Sequence, residues 1–435
     1  LTCLGPDGHE VQDTADVLFT GFGMLSRWAF PDIHGLQNFQ GLVIHSAHWE
    51  TDDPGKTWQE STRSWGDKCV AVIGNGSSGI QIVTAMQPHV ARLVNFVRSK
   101  TWVTGAFGSR TSQELTGQTG VDDYKFSDDD KRAYHDLSTY QGFRRQLETE
   151  VNSAFPLLLR GGRPQAEMRK ELIESTKKRL AKKPWIAEYL VPEYSIGCSR
   201  PTPGPGYLEA LCEDNVDFVP SSIKHITKDA IFTEDGSLFN VDIIVCATGY
   251  DTSFDLGFPF VGKGGVDLSE KYEPHPRTYL GIAVDDFPNW FQSFGPNSAP
   301  GAGSVALALE KQVDYAVKAT VKLQREHLKS MEVKKEAVND FNEYLEAFFP
   351  ASIFTEPCKS WYKNGQPDGR VRALYPGSTL HLIRALEHPR WEDYTYELLE
   401  GNHNRFHWFG NGGTMADLDP AGNKTFYMDN IDYPP

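Results

Sequence analysis

The pattern of apolar and polar residues changes several times along the chain. In the first fifty residues, short apolar runs alternate with Gly, Pro and Asp turns, and Ala15–Gly21 is typical of a strand. A polar connector over 51–65 follows. The pattern then becomes strand, Gly-rich turn, helix and strand, over 68–73, 74–79, 80–90 and 92–97. This order predicts half of a doubly wound nucleotide-binding unit.

Helical patterning dominates residues 127–190. Ser127 followed by three Asp residues is typical of a helix N-cap with an acidic first turn, and Gly161–Pro164 would divide the segment into two helices. Strand signals return after Pro205 and end in the apolar run Val241–Tyr250, which enters a glycine turn. One more helix is predicted from about 304 to 328. These elements predict an α/β fold with a helical insertion.

Length and charge limit the classes of protein to consider. A chain of 435 residues exceeds the size of one hydrophobic core, so two or more packed units are expected. The 39% hydrophobic and 23% charged residues are typical of a soluble protein with a large core. A formal net charge of −15 makes nucleic acid an unfavourable partner, because phosphate contacts need clustered Lys and Arg.

The cysteines are widely spaced, with no C-x-x-C pair and no disulfide-dense pattern. They are Cys3, Cys69, Cys198, Cys212, Cys246 and Cys358. A reducing, cytoplasmic compartment fits this usage best. No apolar run approaches the roughly 18 residues that would indicate a membrane span. Because the sequence starts at Leu1, we expect it to lack its natural beginning.

A glycine-rich turn carries the sharpest local signal for chemistry. It reads Gly74, Asn75, Gly76, Ser77, Ser78 and Gly79, directly after an apolar strand and at the start of a helix. The first glycine would make a tight turn, the second would let the backbone approach a pyrophosphate, and the third would let helix and strand pack closely. The helix N-terminus would add N–H groups and partial positive charge. We interpret the turn as dinucleotide-binding; the alternative is an accidental glycine turn.

The end of the next strand distinguishes between the two nicotinamide cofactors. NAD-binding proteins usually place Asp or Glu there, whereas this chain has Arg98, Ser99 and Lys100. A guanidinium and a hydroxyl would bind a 2′-phosphate that a carboxylate would repel, so the site favours NADPH. The alternative is a surface Arg and Lys at a strand end.

The segment Phe39–Trp49 fits the pattern F-x-G-x-x-x-H-x-x-x-W. In this it resembles Baeyer–Villiger monooxygenases, flavin- and NADPH-dependent enzymes that insert oxygen beside a ketone carbonyl. Glu50 stands where the family usually has Pro or Asp. We interpret His45 as a structural hydrogen-bonding residue, since its chemistry at this spacing is not evident.

Two later segments extend the resemblance. Asp242–Tyr250 is similar to the D-x-x-x-x-A-T-G-[YF] element of flavin monooxygenases, although any buried strand ending in a turn could read this way. Pro288–Asn297 is similar to the family's later approach to the flavin. A helix N-terminus near Ser304 would place positive potential beside the flavin ring. The resemblance runs from about Ala15 to Trp391, and fungal members look most similar. It implies that the chain binds FAD through Thr248, Gly249, Gly295 and Pro296.

Gly197–Pro201 aligns with the K-R-P element of the same family, which implies that Arg200 is the active-site arginine. The implied reaction passes through an anionic oxidant and an anionic tetrahedral adduct of the ketone. A permanently charged guanidinium can stabilise both. The family lysine that helps to hold the 2′-phosphate is replaced by Ser199 here, so NADPH selectivity would depend on Arg98 and on Lys100.

The resemblance implies a two-dinucleotide-binding-domain flavoprotein, with the NADP domain inserted into the FAD domain. The expected parts are a remnant of the FAD domain over 1–50, a linker over 51–66, NADP-domain parts over 67–104 and 196–240, the helical insertion over 105–195, and the FAD-domain C-terminal part over 241–435. No Gly-rich strand-turn-helix precedes Phe39, where the family has its FAD fingerprint. We therefore expect this chain alone to bind FAD poorly.

The implied function is oxidation of a small-molecule ketone to an ester or lactone with NADPH and O2. Similarity to fungal members suggests secondary metabolism, with a polyketide of the sterigmatocystin and aflatoxin type as the substrate. Two alternatives stay open: an N- or S-hydroxylating flavin monooxygenase, and a noncatalytic NADP-binding protein that has lost its flavin. A metal site at His403 and His407 is not expected, because Gly401 and Asn404 argue against a helix there. The oligomeric state is left open.

Overall fold

The computed structural model describes residues 2–4, 7–49, 57–116, 125–401 and 403–428. Part of the predicted connector, residues 51–56, lies outside them. The strands are β1 Thr2–Leu4, β2 Glu10–Gln12, β3 Leu18–Thr20, β4 Leu42–His45, β5 Cys69–Ile73, β6 Arg92–Phe96, β7 Val103–Thr104, β8 Thr202–Pro203, β9 Val216–Val219, β10 Ile223–Ile226, β11 Ala230–Thr233, β12 Leu238–Asn240, β13 Ile243–Cys246, β14 Trp290–Gln292, β15 Leu328–Val333 and β16 Tyr394–Leu398. The helices are α1 Trp58–Ser61, α2 Ser77–Met86, α3 Ser109–Thr116, α4 Asp128–Ala133, α5 Leu137–Asn152, α6 Arg163–Arg179, α7 Ile186–Leu190, α8 Tyr207–Leu211, α9 Leu268–Lys271, α10 Val305–Arg325, α11 Lys335–Phe348, α12 Thr379–Glu387 and α13 Met415–Leu418.

Five parallel strands form the central sheet, in the order β4-β13-β5-β6-β9. Strands β5 and β13 are almost wholly buried, as expected for a parallel sheet covered on both faces. The strand order reverses between β5 and β13, because the chain leaves β5 towards β6 and β9 on one side and returns to β13 on the other. A crevice at the carboxyl ends of these two strands is therefore the expected ligand position.

The sheet takes strands from both sides of two predicted domain boundaries. Strand β4 lies in the segment assigned to the first FAD-domain remnant, and β13 lies in the segment assigned to the last part of that domain. Residue Val245 of β13 pairs with Ile44 on one side and with Val72 on the other. The boundaries themselves stay a prediction, but the central sheet takes strands from four of the predicted parts of the chain.

The helical segment agrees with its sequence pattern. Ser127 caps α4 through a reciprocal capping box with Asp130. Helices α5 and α6 are separated by residues 153–162, and Pro164 sits in the first turn of α6. Helix α3 is attached to α5 because the Glu150 carboxylate accepts hydrogen bonds from the backbone N–H and the hydroxyl of Thr111.

A second hydrophobic core surrounds the carboxyl-terminal helices. Helix α10 begins at Val305, where the Ser304 hydroxyl accepts a hydrogen bond from the Leu307 N–H, close to the predicted helix start. Its buried residues pack with α11, α12 and the antiparallel pair β15–β16. Strands β3 and β14 form a short parallel pair beside this core, so residues near the beginning of the chain complete the second unit.

Candidate dinucleotide site and active-site arginine

The glycine turn after β5 has the backbone that its sequence predicts. Gly74 has φ +115, and a Cβ there would lie 2.4 Å from the Ala247 carbonyl oxygen. A Cβ on Gly79 would lie 2.4 Å from the Gly74 oxygen. Side chains at these two positions would force strand and helix apart, so the tight turn and the close packing both require glycine.

The surroundings of Gly76 differ from those of Gly74 and Gly79. No atom lies within 4 Å of a Cβ placed on Gly76, so this part of the turn faces open space. Gly76 is also the N-cap of α2, and no side chain accepts a hydrogen bond from the first turn of that helix. An uncapped helix N-terminus presents N–H groups and partial positive charge to a ligand. The geometry fits a phosphate group, with Ser77 and Ser78 in the first turn of α2.

A buried hydrogen-bond network fixes the turn to the sheet. The Asn95 amide, fully buried in β6, donates to the carbonyl oxygens of Val72 and Gly74, each at 3.1 Å. The Tyr207 hydroxyl of α8 donates to the Asn95 side-chain oxygen at 2.9 Å. The Asn75 amide donates to the Ser99 carbonyl oxygen at 2.7 Å. Sequence reasoning missed Asn95 and Tyr207, because a polar residue inside a strand gives no local sign of its partner.

Two basic side chains follow β6, and they differ in their contacts. Arg98 is exposed and makes no ion pair within the described ranges. Lys100 Nζ lies 3.5 Å from the Glu193 carboxylate, and the Tyr194 hydroxyl donates to the Lys100 carbonyl oxygen. Arg98 is therefore the cation that can turn towards a 2′-phosphate without giving up an ionic partner.

Arg98→Ala should erode the expected preference for NADPH over NADH, because the variant would lose the charge-assisted hydrogen bond that we expect Arg98 to donate to the 2′-phosphate. We expect the ratio of the two kcat/KM values to fall by about tenfold or more, since hydrogen bonds to charged groups contribute roughly 1.5–3 kcal/mol. The matched control is Lys100→Ala, which should change the ratio much less. Full discrimination retained by Arg98→Ala would show that the assignment is wrong.

Thr248 and Gly249 form the other wall of the crevice, just beyond β13, where both are exposed. The Thr248 hydroxyl lies 3.3 Å from His45 Nε2, while His45 Nδ1 accepts a hydrogen bond from the Ala47 N–H. The His45 ring is therefore assigned as the Nε2–H tautomer. Trp28 stacks on it at 4.5 Å. His45 thus has the structural contacts that its interpretation requires.

His45 should make the protein less stable at acid pH, because burial lowers its pKa below the usual 6.5. Its stabilising contribution is complete above the unfolded-state pKa and is lost as pH falls through the lower folded-state pKa. We expect the free energy of unfolding in urea to fall more between pH 8 and pH 5 for wild type than for His45→Gln. Equal losses for the two proteins would contradict this expectation.

Gly295 and Pro296, which follow β14, line a largely apolar pocket of about 250 Å³. The opposite wall includes Thr20 and Gly23, at and after the end of β3. A Cβ on Gly295 would come within 2.4 Å of the Gln292 side chain, so the turn needs a residue without a side chain. Flat apolar walls of this kind can accept part of an aromatic ring system.

Arg200 lies between the helical segment and the second core. Its guanidinium carbon is 5.9 Å from the centre of the Phe107 ring, within reach of a cation–π interaction. It also acts on the Tyr362 hydroxyl: burial raises the pKa of Tyr362 to about 12, while the Arg200 charge and hydrogen bond act in the opposite direction. Among the described residues Arg200 has no ion pair, and the side chain is exposed. Its charge is available to an anion.

Searches for metal and membrane features give negative findings for the described ranges. They contain no group of three or more His, Cys, Asp or Glu residues placed to hold a metal ion. Likewise, no helix in this part of the chain is both long and apolar enough to cross a bilayer.

The parallel sheet, the glycine turn at its switch point and the second packed unit define an α/β protein of the two-dinucleotide-binding-domain class. A steroid monooxygenase bound to NADP has the same fold with a TM-score of 0.69 and 26% identity, covering 90% of this chain and 77% of that one. The OTEMO complex with FAD and NADP matches with a TM-score of 0.74 at 22% identity, again covering 90% and 77%. No protein-family model matches the chain.

Curated relatives identify the family. The FAD-binding monooxygenase tazF of Aspergillus terreus is 34% identical over 428 residues, covering 98% of this chain and 73% of that protein. The FAD-binding monooxygenase stcW of Emericella nidulans is 35% identical, covering 97% and 67%. A Baeyer–Villiger monooxygenase of Pseudomonas aeruginosa is 31% identical, covering 85% and 66%. The chain therefore belongs to the FAD-binding monooxygenases of the Baeyer–Villiger type, and it spans about two thirds to three quarters of the length of these relatives.

Proposed function

We propose that this chain carries the NADPH-binding and substrate-oxidising centre of a Baeyer–Villiger monooxygenase that converts a ketone into an ester or lactone. The observation that carries the proposal is the position of Arg200. Its guanidinium lies between Phe107 and Tyr362 and has no ion-paired carboxylate within the described residues. An N- or S-hydroxylating enzyme would not need such a cation, because its substrates do not become oxyanions.

NADPH fits the crevice between β5 and β13. The pyrophosphate would lie on the open N-terminus of α2 at Gly76, with Asn75, Ser77 and Ser78 around it. Arg98 and Ser99 would bind the 2′-phosphate. Thr248, which the family resemblance assigns to FAD, would face the crevice from its opposite wall.

FAD is the second cofactor of the proposal. Part of the flavin would lie in the pocket beside Gly295 and Pro296, which is also lined by Asp251, two residues after Gly249. When bound, FAD supplies the electron and oxygen chemistry that no side chain provides. The contribution of this chain is to bind and orient the two cofactors and to hold the developing charge.

Arg200 would stabilise negative charge on the ketone oxygen as the substrate is attacked. The guanidinium offers a planar fork of N–H donors together with a full positive charge, which suits an oxyanion. Contacts with the Phe107 ring and with the Tyr362 hydroxyl restrict where the fork can point. This arrangement would supply fixed positive charge before the reaction starts. No reorganisation of the site is then needed as the negative charge develops.

Fungal secondary metabolism is the proposed setting, with a polyketide ketone of the sterigmatocystin and aflatoxin type as the substrate. The cytoplasm is the proposed compartment; because disulfides there are usually transient and redox-sensing, the Cys198–Cys358 bond would form and break in use. The proposal is supported by similarity to fungal FAD-binding monooxygenases, tazF and stcW among them.

The test is an assay of the protein expressed from its complete gene. NADPH oxidation would be followed over a panel of ketones, with product masses recorded. Ketone-dependent NADPH oxidation that yields an ester or lactone supports the proposal. Hydroxylated amines or sulfoxides without ester would favour the hydroxylating alternative, and an absence of NADPH oxidation in a flavin-free protein would favour the noncatalytic one.

A further inference from the structure

The segment that carries Arg200, residues 195–201, is held in place although it has almost no regular secondary structure. It lies between α7, which ends at Leu190, and β8, which begins at Thr202. Ile196 is 3% exposed and Cys198 is fully buried. Gly197 has φ +102, and a Cβ there would lie 2.8 Å from the Ile353 side chain. The backbone therefore lies tightly against the second core just before Arg200.

Helix α6 holds this segment from one side. The Gln165 side chain is 5% exposed, and its oxygen accepts a hydrogen bond from the Ile196 N–H at 3.0 Å. Its amide donates to the carbonyl oxygens of Ile196 and Leu157 at 2.9 and 2.7 Å. One buried side chain thus satisfies both backbone groups of Ile196.

The opposite side is held by residues 356–358. The Glu356 carboxylate accepts hydrogen bonds from the Ser195 N–H and the Ser195 hydroxyl, both at 2.7 Å. Cys198 forms a disulfide with Cys358, 160 residues further along the chain. Lys363, only 1% exposed, donates to the Glu356 carbonyl oxygen at 2.6 Å and so anchors this side in turn.

We propose that Glu356 and the Cys198–Cys358 disulfide form a clasp that positions Arg200, and that a dithiol reductant loosens it. The positioning role in catalysis rests on the proposed function; the clasp itself does not. Arg200 lies two positions after Cys198, with Ser199 between them, a span of about 7 Å at most. Fixing the Cys198 sulfur therefore restricts where the guanidinium can stand relative to Phe107 and Tyr362.

Reduction of the clasp is a balanced thiol–disulfide exchange. The thiolate of the reductant attacks one sulfur, the Cys198–Cys358 bond breaks, and a second thiol of the reductant releases the protein as two thiols. The protein gains two electrons and two protons, and the reductant becomes a disulfide. The Glu356 hydrogen bonds remain after this step, so the segment should become looser without unfolding.

Hydrogen exchange tests the clasp without any activity. The samples are the oxidised protein, the same protein reduced with dithiothreitol, and the Cys198→Ser/Cys358→Ser double variant. We expect peptides covering 195–201 to exchange about tenfold faster in the reduced protein and in the double variant, because the free energy of local opening is smaller there. Peptides covering β5 should not change, and the reductant should have no effect on the double variant.

Two outcomes would overturn the clasp. One is unchanged exchange over 195–201 after complete reduction. The other is equal thiol counts in denatured samples of protein purified without reductant and of reduced protein, which would show that the disulfide does not form. Glu356→Gln is the milder variant, since its amide can keep one acceptor for Ser195, and it should raise exchange less than Glu356→Ala. If Glu356→Gln and Glu356→Ala both exchanged over 195–201 at the rate of wild type, Glu356 would not be part of the clasp.

An activity measurement in the complete enzyme then tests positioning. Reduction should lower kcat for ester formation by about tenfold while KM for NADPH changes little, because a displacement of about 1 Å can cost up to a hundredfold. NADPH consumption should become less coupled to product. Unchanged kcat with a loosened segment would reject the positioning role, whereas an enzyme with no ketone activity in either form would contradict the proposed function and leave the exchange result valid.

Discussion

Arg200→Ala should abolish ester formation by the complete enzyme while flavin binding and the fold persist. The guanidinium is exposed and lacks an ion pair in the described residues, so its loss removes charge from the site and little from the packing. Loss of one such stabiliser typically lowers the rate by about a hundredfold to a thousandfold. The measurement is the rate of ester formation, accompanied by flavin absorbance and circular dichroism.

Two further variants make the Arg200 test specific. Arg200→Lys should recover little activity, because a compact ammonium does not reproduce the planar fork of a guanidinium. Arg163→Ala is the matched control, since Arg163 is an exposed arginine on α6 whose ion pair with Glu167 should contribute little. An ester rate for Arg200→Ala within about threefold of wild type would rule out the role, given the size of the effect expected for such a stabiliser.

Gly76→Asp should remove NADP+ binding without lowering stability. Its Cβ would meet no atom within 4 Å, and the backbone at Gly76 is extended, so the new side chain fits. A carboxylate at this N-cap should even stabilise α2, by about a few tenths of a kcal/mol relative to glycine. The same carboxylate would occupy the place that we propose for the phosphate and would repel it, so we expect the Kd for NADP+ to rise by about a hundredfold.

Gly74→Ala is the contrasting variant. Calorimetric unfolding measures stability and titration with NADP+ measures binding, so the two experiments together distinguish Gly74→Ala from Gly76→Asp. The alanine Cβ would lie 2.4 Å from the Ala247 oxygen at φ +115, so this variant should lose stability as well as binding. Gly76→Ala, which adds a side chain without charge, controls for simple steric blocking. If Gly76→Asp bound NADP+ within about threefold of wild type, the phosphate would not lie on this helix terminus.

Local features of the fold could be predicted from the sequence. The apolar run before Gly74, the glycine spacing and the following helix are all encoded within about thirty residues, and such βαβ patterns are read from periodicity. The caps at Ser127 and Ser304 are likewise set by neighbours three residues away. These elements agree with the structure because their hydrogen bonds are local.

Long-range contacts could not be predicted in this way. The Cys198–Cys358 pair spans 160 residues, and cysteine spacing gave no sign of it. The pairing of Lys100 with Glu193 likewise depends on how the helical segment returns to the sheet. The family resemblance singles out Arg200 but gives no sign of its neighbour Tyr362. The surroundings of a candidate residue depend on the tertiary structure, which one-dimensional patterns do not contain.

The construction of the central sheet limits how the protein can be divided. A fragment ending at Asn240 would keep the glycine turn, but it would lack β13, which pairs with β5 along the whole of its own length. The crevice would then have one wall, and β5 would present unpaired backbone groups as an edge strand, which invites association with other chains. Nucleotide binding in this molecule is therefore not a separable module: the site exists only after the chain has passed through the helical segment and returned to the sheet.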